Sequence, residues 1–397
     1  MHVGIIELME VGHIVLAETM CKIFCSDPHN KVSFFTNKDH GNSLNFLSEQ
    51  YLNLSIIIKP SGQKEEDFLL QIGSVQLDRI YIITLNKFFY AFAGWQVKTR
   101  LFLVIHNLDE WFGITPVQSI HKYINAILNN PHFKSLIYFF KVHIIYPSFK
   151  KQILNKVQQS NGSLVVLSES VRKQYTLLNI NTPVEVIPFS VFEPSLVYFN
   201  SDPMKPLRIC VPGILSQYRR NYLALLDIME RFLSPYKTRF IIDFLGGVQW
   251  DNHLNDSRLI LEKIDHLNRN GFSIIVHDVK FIPPLEFDRA LSISDIILGN
   301  MNLVLNKYSE YGKTKETGLP FTMIKAAKPG ILPDNYPVPE QIASSTLLFH
   351  SYEDLGRILA DLINNPRSVL ELQEKALANS KLFSPEIIYN QLITGKE

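Results

Sequence analysis

Cysteine is scarce in this chain: Cys21, Cys25 and Cys210 are the only three among 397 residues. So odd and sparse a set excludes a disulfide-stapled secreted scaffold and points to a reducing compartment. Cys21 and Cys25 lie one helical turn apart beside Ile23 and Phe24, with no His or Cys cluster nearby, so they read as buried thiols rather than metal ligands. Net charge is nearly absent as well. Lys+Arg number 39 against 38 Asp+Glu, so no global field draws in nucleic acid and any anion site must be a local patch. No run of 18 apolar residues occurs, and the opening "MHVGIIELMEVGH" has no basic region followed by an apolar one. Neither a membrane span nor a signal peptide is expected, and the expected location is the cytoplasm. Internal repeats and low-complexity segments are missing too.

What the chain does have is 46% hydrophobic residues, enough for large cores in two or three domains. Short β-branched runs ("HVGIIEL", "KVSFFTN", "LSIIIKP", "RIYIITL", "LFLVIHN", "SLVVLS", "VEVIPF") alternate with helical stretches from residue 1 to about 190. Near-continuous apolar strands separated by helices predict a parallel sheet covered on both faces. After an extended, Pro-punctuated stretch at 191–206 the pattern restarts with "LRICVP", "RFIIDFLGG", "FSIIVHD", "DIILGN", "GILP" and "TLLFH". The expected architecture is α/β: two Rossmann-like domains, 1–190 and 207–375, facing across a central cleft. The linker is 191–206, and a C-terminal helical segment, 376–397, broken at Pro385, packs back on the first domain.

In such sheets ligands bind beyond the carboxyl ends of the strands, and four loops there carry chemistry. After the first strand, Gly12 and His13 precede a helix expected to begin near Ile14. They form no G-x-G-x-x-G fingerprint, which disfavours a tightly wrapped dinucleotide, and the pair is open to two readings, loop punctuation or ligand contact. His106 ends the fifth strand, where an imidazole can bond a sugar hydroxyl or simply its own loop. In the second half, "VPGILSQYRRN" offers Gly213 for close backbone approach and places Arg219 and Arg220 at the start of the next helix. There a guanidinium and the positive helix end both favour phosphate. Adjacent arginines cannot both face one way, and Arg220 is the one expected to reach a ligand. The fourth loop, "TKETGLPFTMIKAAKPG", puts Gly318 at a helix start behind Lys315, Glu316 and Thr317. Amides and an ammonium there suit a phosphate, and a carboxylate suits sugar hydroxyls. A plain capped helix with Thr317 as N-cap is the alternative.

Taken together, "VIHN", "VVLSESVRKQY" followed by "VEVIPFS", "VPGILSQYRRN", "FIPPLEFDRALSISDIILG" and "KETGLPFTMIKAAKPGILP" resemble, in order and spacing and over essentially the whole chain, a glycosyltransferase of the GT-B fold. The likeness is strongest to the retaining, nucleotide-sugar-dependent GT4 family. The resemblance implies sugar transfer from a nucleoside diphosphate sugar, with His106 at the transferred sugar and Gly12 and His13 beside the donor phosphates. It further implies Arg220 on the diphosphate and the Lys315–Gly318 loop on sugar hydroxyls and phosphate. No cofactor and no metal follow from it, and no D-x-D carboxylate pair stands at a cleft loop. The chain departs from the family where a basic residue usually follows the glycine, since Ile214 follows Gly213. It departs again where a second glutamate is usual, since Met323, Ile324 and Lys325 occupy that region. Lys315 is the candidate to replace the missing basic contact.

Between Trp111 and Ser168 no Asp or Glu occurs, while Lys134, Lys141, Lys150 and Lys151 are among six lysines interleaved with aromatic residues. Basic plus aromatic content suits an anionic membrane surface, hence a glycan or lipid-linked acceptor and a peripheral place on the inner face of the cell membrane. The alternative is an aromatic helix whose lysines snorkel. Two other functions stay open: a non-catalytic partner subunit of the same fold, and a sugar-nucleotide epimerase.

Overall fold

In the computed structural model the described residues are 1–9, 13–112, 145–199, 204–248, 250–279, 281–306 and 309–395, with backbone only at 250–256. The chain forms two compact units. Unit 1 comprises Met1–Phe189, Lys313–Glu316 and Ile388–Glu397; unit 2 comprises Ser190–Gly312 and Thr317–Ile387.

Unit 1 is built on seven strands: β1 (His2–Glu7), β2 (Lys31–Thr36), β3 (Leu54–Ile58), β4 (Arg79–Ile82), β5 (Arg100–Val104), β6 (Ser163–Val166) and β7 (Val184–Val186). Their order is β3-β2-β1-β4-β5-β6-β7, and every pairing is parallel. Because helices cover both faces, these strands carry unbroken runs of Val, Ile and Phe rather than an alternation. Val3, Ile5, Phe34, Phe102 and Leu103 are wholly buried, and burying each such side chain stabilises the fold by about 1.5–3 kcal/mol. The segment Ile388–Glu397 belongs to this unit, and the Tyr389 hydroxyl donates to Asp27 Oδ2 (2.9 Å) and Asn30 Oδ1 (3.3 Å).

Unit 2 repeats the plan with β8 (Leu207–Cys210), β9 (Phe240–Phe244), β10 (Ile274–Val276) and β11 (Ile296–Leu298). A short antiparallel hairpin follows, β12 (Val304–Asn306) with β13 (Ser309–Glu310), then β14 (Gly330–Pro333) and β15 (Thr346–Phe349). The parallel sheet runs β10-β9-β8-β11-β14-β15. The thirteen strands of the two parallel sheets are those the apolar runs predict. The hairpin is not, because β12 alternates exposed and half-buried positions and β13 is the polar pair Ser309–Glu310, so no sustained apolar run announces it.

The stretch 191–206, expected as a linker, is counted with unit 2 and is bonded into it. Phe192 N–H donates to Phe383 O (3.0 Å), Glu193 N–H to Lys325 O (2.9 Å), and the buried Lys328 ammonium to the Tyr198 carbonyl (2.7 Å). Proline punctuation marked where the pattern restarts, but it carried no information about these backbone bonds.

At the turn into β6 the space is already full: a Cβ on Gly162 would fall on the Leu101 backbone of β5. Gly162→Ala is expected to lower stability by about 2 kcal/mol or more, in the range of strained, over-packed core substitutions. Urea unfolding of the full chain checks this, and an unchanged midpoint would mean that β5 and β6 can separate freely.

Candidate functional site

Strand order reverses between β1 and β4 in unit 1 and between β8 and β11 in unit 2. Such switch points are where doubly wound sheets leave a crevice for ligands, and the residues of interest gather at both.

In unit 1, His13 precedes the helix Ile14–Cys25, and its Nδ1 lies 2.7 Å from Thr84 Oγ1, two residues beyond β4. Its ring stacks on that of His106, with centroids 4.0 Å apart and planes within 5°. His106 Nε2 is 2.9 Å from the Ile83 carbonyl. A carbonyl only accepts, so Nε2 carries the proton and Nδ1 keeps a lone pair. Burial lowers the His106 pKa to about 3, with the neighbouring His13 and Lys315 acting in the same direction and the Ile83 bond opposing them. His106 is thus a neutral hydrogen-bonding group at physiological pH and too weak a base to take a proton outright. The structure brings His13 and His106 together; Gly12 lies outside the described residues.

The segment Lys313–Glu316 also belongs to unit 1. Lys315 pairs with Asn107 in an isolated antiparallel bridge, and Leu108 N–H donates to Thr314 O (2.7 Å). The Glu316 carboxylate accepts a hydrogen bond from Ser168 Oγ. Ser168 caps the helix Glu169–Thr176 by accepting from Val171 N–H (3.3 Å) and lies 2.9 Å from Ser170 Oγ. A carboxylate at a helix N-terminus is favourably placed by the helix dipole. Glu316 was expected to face sugar hydroxyls; here a helix cap holds it, a pairing that a separation of 148 residues hid from the sequence.

Lys150, read as part of a basic stretch meeting a membrane surface, has its ammonium engaged within unit 1 instead. Its ammonium donates to the Glu110 carbonyl (2.6 Å) and sits over the rings of Trp111 (5.2 Å) and Phe89 (5.5 Å). Burial lowers its pKa, and aromatic faces take the place of water. Lys151 is exposed, and Lys134 and Lys141 lie outside the described residues.

Unit 2 holds the two arginines of the candidate set, with Gly213, Thr317 and Gly318. After β8 the chain turns through Gly213 at φ +121°, a left-handed value that favours glycine. A Cβ there would lie 2.5 Å from the Arg220 guanidinium, so the planar group rests directly on bare backbone. Arg220 is 8% exposed. Among the described residues no ion pair and no acceptor for its guanidinium is found, and its Nε is buried without a partner. Arg219, by contrast, is half-exposed, so of the two arginines Arg220 turns inward. Both stand before the helix rather than in it. The helix is Tyr222–Phe232, and its N-cap is Asn221, whose Oδ1 accepts from Ala224 N–H (3.2 Å). The Tyr222 hydroxyl donates to the carbonyls of Gly213 (3.1 Å) and Ile214 (3.2 Å), fixing the turn under the guanidinium.

Across the switch point, Gly299 and Asn300 follow β11, and the side chains of Leu319 and Leu332 close over Gly299. The helix Leu319–Ala326 therefore begins beside this strand end. Gly318 is its N-cap, exposed, at φ −69° and with no side-chain cap bond. Nothing lies within 4 Å of where its Cβ would stand. Gly318 opens a helix as expected, but at an ordinary φ. Thr317 is buried, its Oγ1 lying 3.5 Å from Leu319 N, a long contact. Sequence reasoning missed Ser216 and Asn300, both fully buried beside Arg220. It also missed Asp243 at the end of β9, which His277 Nε2 meets at 2.8 Å just beyond β10. Asn300 had a signal, since a polar residue closes the apolar run "DIILG".

Among the described residues, no group of three His, Cys, Asp or Glu could hold a metal ion. No described helix is long and apolar enough to cross a membrane.

No family model matches the chain, and no curated protein does. Solved structures do. A glycosyltransferase from Rickettsia africae matches over 99% of this chain and 97% of its own, at 14% identity and a TM-score of 0.61. Anabaena HepE, solved in complex with UDP and glucose, matches over 100% and 98%, at 12% identity and a TM-score of 0.58. A Listeria monocytogenes protein described as a UDP-N-acetylglucosamine 2-epimerase matches over 99% and 95%, at 13% identity and a TM-score of 0.52. These likenesses show the fold: two Rossmann-like units in the GT-B arrangement of elements.

The His106 pKa has a consequence for stability. It lies below the ordinary 6.5, so neutral His106 stabilises the fold fully above about pH 6.5, and that contribution is lost as pH falls from there towards about 3. His106→Gln, which keeps a donor for the Ile83 carbonyl, is expected to lose less thermal stability than the natural chain between about pH 6.5 and about pH 4. Parallel curves for the two proteins would show that His106 is not held neutral by the fold.

Proposed function

We propose that this chain is a glycosyltransferase, moving a sugar from a nucleoside diphosphate sugar to an acceptor hydroxyl, as GT4 enzymes do, with retention and without a metal. One observation carries the reading: the Arg220 guanidinium, buried over Gly213 at a switch point and left, among the described residues, without a counter-ion. Removing a guanidinium from water without a partner costs several kcal/mol. A protein retains such a group where an anion with several oxygens arrives to bond it in a bidentate way. The GT-B fold and a UDP-bound neighbour favour a nucleoside diphosphate as that anion.

In this reading Arg220 and the open N-terminus at Gly318 meet the negative charge that grows on the diphosphate as the sugar leaves, from positions set before the reaction begins. His106, neutral and stacked on His13, orients a sugar hydroxyl. Lys315 adds positive charge to the same imidazole environment. The acceptor is a glycan or lipid-linked saccharide, in bacterial surface polysaccharide or glycolipid synthesis, with the basic aromatic stretch around 111–168 meeting an anionic membrane surface from the cytoplasmic side.

A second reading, sugar-nucleotide epimerisation, is favoured by the Listeria likeness and by the Asp243–His277 couple, a carboxylate and an imidazole at neighbouring strand ends. Incubation with UDP-N-acetylglucosamine in deuterated water, without acceptor, separates the two. A transferase leaves the sugar unchanged, whereas deuterium at an inverted carbon would establish the epimerase.

Arg220→Ala is expected to weaken nucleoside diphosphate binding by about 1.5–3 kcal/mol, as for a charge-assisted bond. Gly318→Val finds open space in the unliganded chain, so its thermal midpoint should hold while donor binding is lost. Calorimetric titration with UDP beside a thermal melt reads both. Full UDP affinity in Arg220→Ala would remove this arginine from the site, and full affinity in Gly318→Val would remove the helix end.

A further inference from the structure

Buried polar atoms without partners are rare in folded proteins, and each asks for an explanation. Among the described residues of unit 2, four of the five such atoms belong to residues at the switch point: Ser216 Oγ, Arg220 Nε and both amide atoms of Asn300 are buried with no hydrogen-bond partner, the fifth being Gln373 Oε1. Ser216 and Asn300 are 0% exposed and Arg220 is 8% exposed. Backbone bonds tie the three residues together. Arg219 and Arg220 N–H both donate to the Ser216 carbonyl (3.1 Å each), Asn221 N–H donates to the Asn300 carbonyl (3.1 Å), and Asn302 N–H donates to the Arg219 carbonyl (3.0 Å). Arg220 itself pairs with Met301 in an antiparallel bridge.

We infer that Ser216 and Asn300 are ligand-binding residues of the Arg220 site, kept without protein partners until an anion carrying several oxygens enters. This rests on the reading of Arg220 as an anion site and extends it to two neutral groups. The chemistry fits a phosphorylated sugar or nucleoside. The Ser216 hydroxyl and the guanidinium donate to phosphoryl oxygens, while a carboxamide, donor and acceptor at once, matches a hydroxyl beside them. Access follows from Arg220. Its guanidinium lies on bare Gly213 backbone and, among the described residues, no acceptor holds it, so an entering anion can draw it from its place.

Stability and binding should therefore move in opposite directions. In a purely structural role, removing a polar group from the core loses stability. A group without a partner instead destabilises the unliganded chain, and replacing it with an apolar group of similar shape is neutral or stabilising. Ser216→Ala and Asn300→Leu are to be melted without ligand and titrated with inorganic pyrophosphate, which is independent of base and sugar, beside Arg220→Ala. The expected result is a thermal midpoint equal to or above that of the natural chain in both variants, with pyrophosphate affinity falling about tenfold or more in Ser216→Ala, as for a bond to a charged group. UDP-glucose affinity should fall in Asn300→Leu. Unchanged affinities, or a lowered midpoint beside a lowered affinity, overturn the inference. A natural chain that binds no pyrophosphate overturns the reading of Arg220 and this extension together. Binding lost in Arg220→Ala but kept in the other two overturns the extension alone.

Discussion

A guanidinium buried with no counter-ion among the described residues is the constraint around which the loops of unit 2 are arranged. Arg220 can lie where it does because residue 213 has no side chain, and residue 213 can turn as it does because only glycine takes φ +121° at no steric cost. Tyr222 then pins the turn through two carbonyls, Asn221 ends the approach to the helix, and a Cβ on Gly246 at the end of β9 would strike the Gly213 carbonyl. Each local choice removes bulk or adds a hydrogen bond to hold one planar cation against the backbone. Strain and unsatisfied groups of this kind persist in a fold when function needs them, and the surrounding structure compensates.

Unit 1 carries chemistry of another kind at its own switch point. Two stacked imidazoles, tied to Thr84 and to the Ile83 carbonyl, make a rigid polar surface. Low local polarity and adjacent positive charge keep His106 neutral. One unit thus offers a preorganised neutral hydrogen-bonding group and the other an uncompensated cation.

Charged residues that looked available in the sequence were in several cases already engaged. Glu316 is bonded to a helix cap, and Lys150 sits over two rings. Long side chains find local partners whenever burial makes leaving them alone expensive. Arg220, buried yet without a partner, stands out against that background more than any exposed lysine could.

The amino-acid sequence by itself determined the class of fold and the position of thirteen strands, because a doubly covered parallel sheet demands apolar runs that are visible without any coordinates. It pointed to four loops at strand ends, where ligands bind in such sheets, and of two adjacent arginines it preferred Arg220 to reach a ligand, the one that lies buried. Tertiary structure alone decided which of those residues meet. The stacking of His13 on His106, Glu316 on Ser168, and Asn300 beside Arg220 join residues far apart in the chain. Periodicity and spacing record each segment's own burial but not its partners, and hydrogen-bond satisfaction, the quantity that set Arg220, Ser216 and Asn300 apart, exists only once the partners are in place.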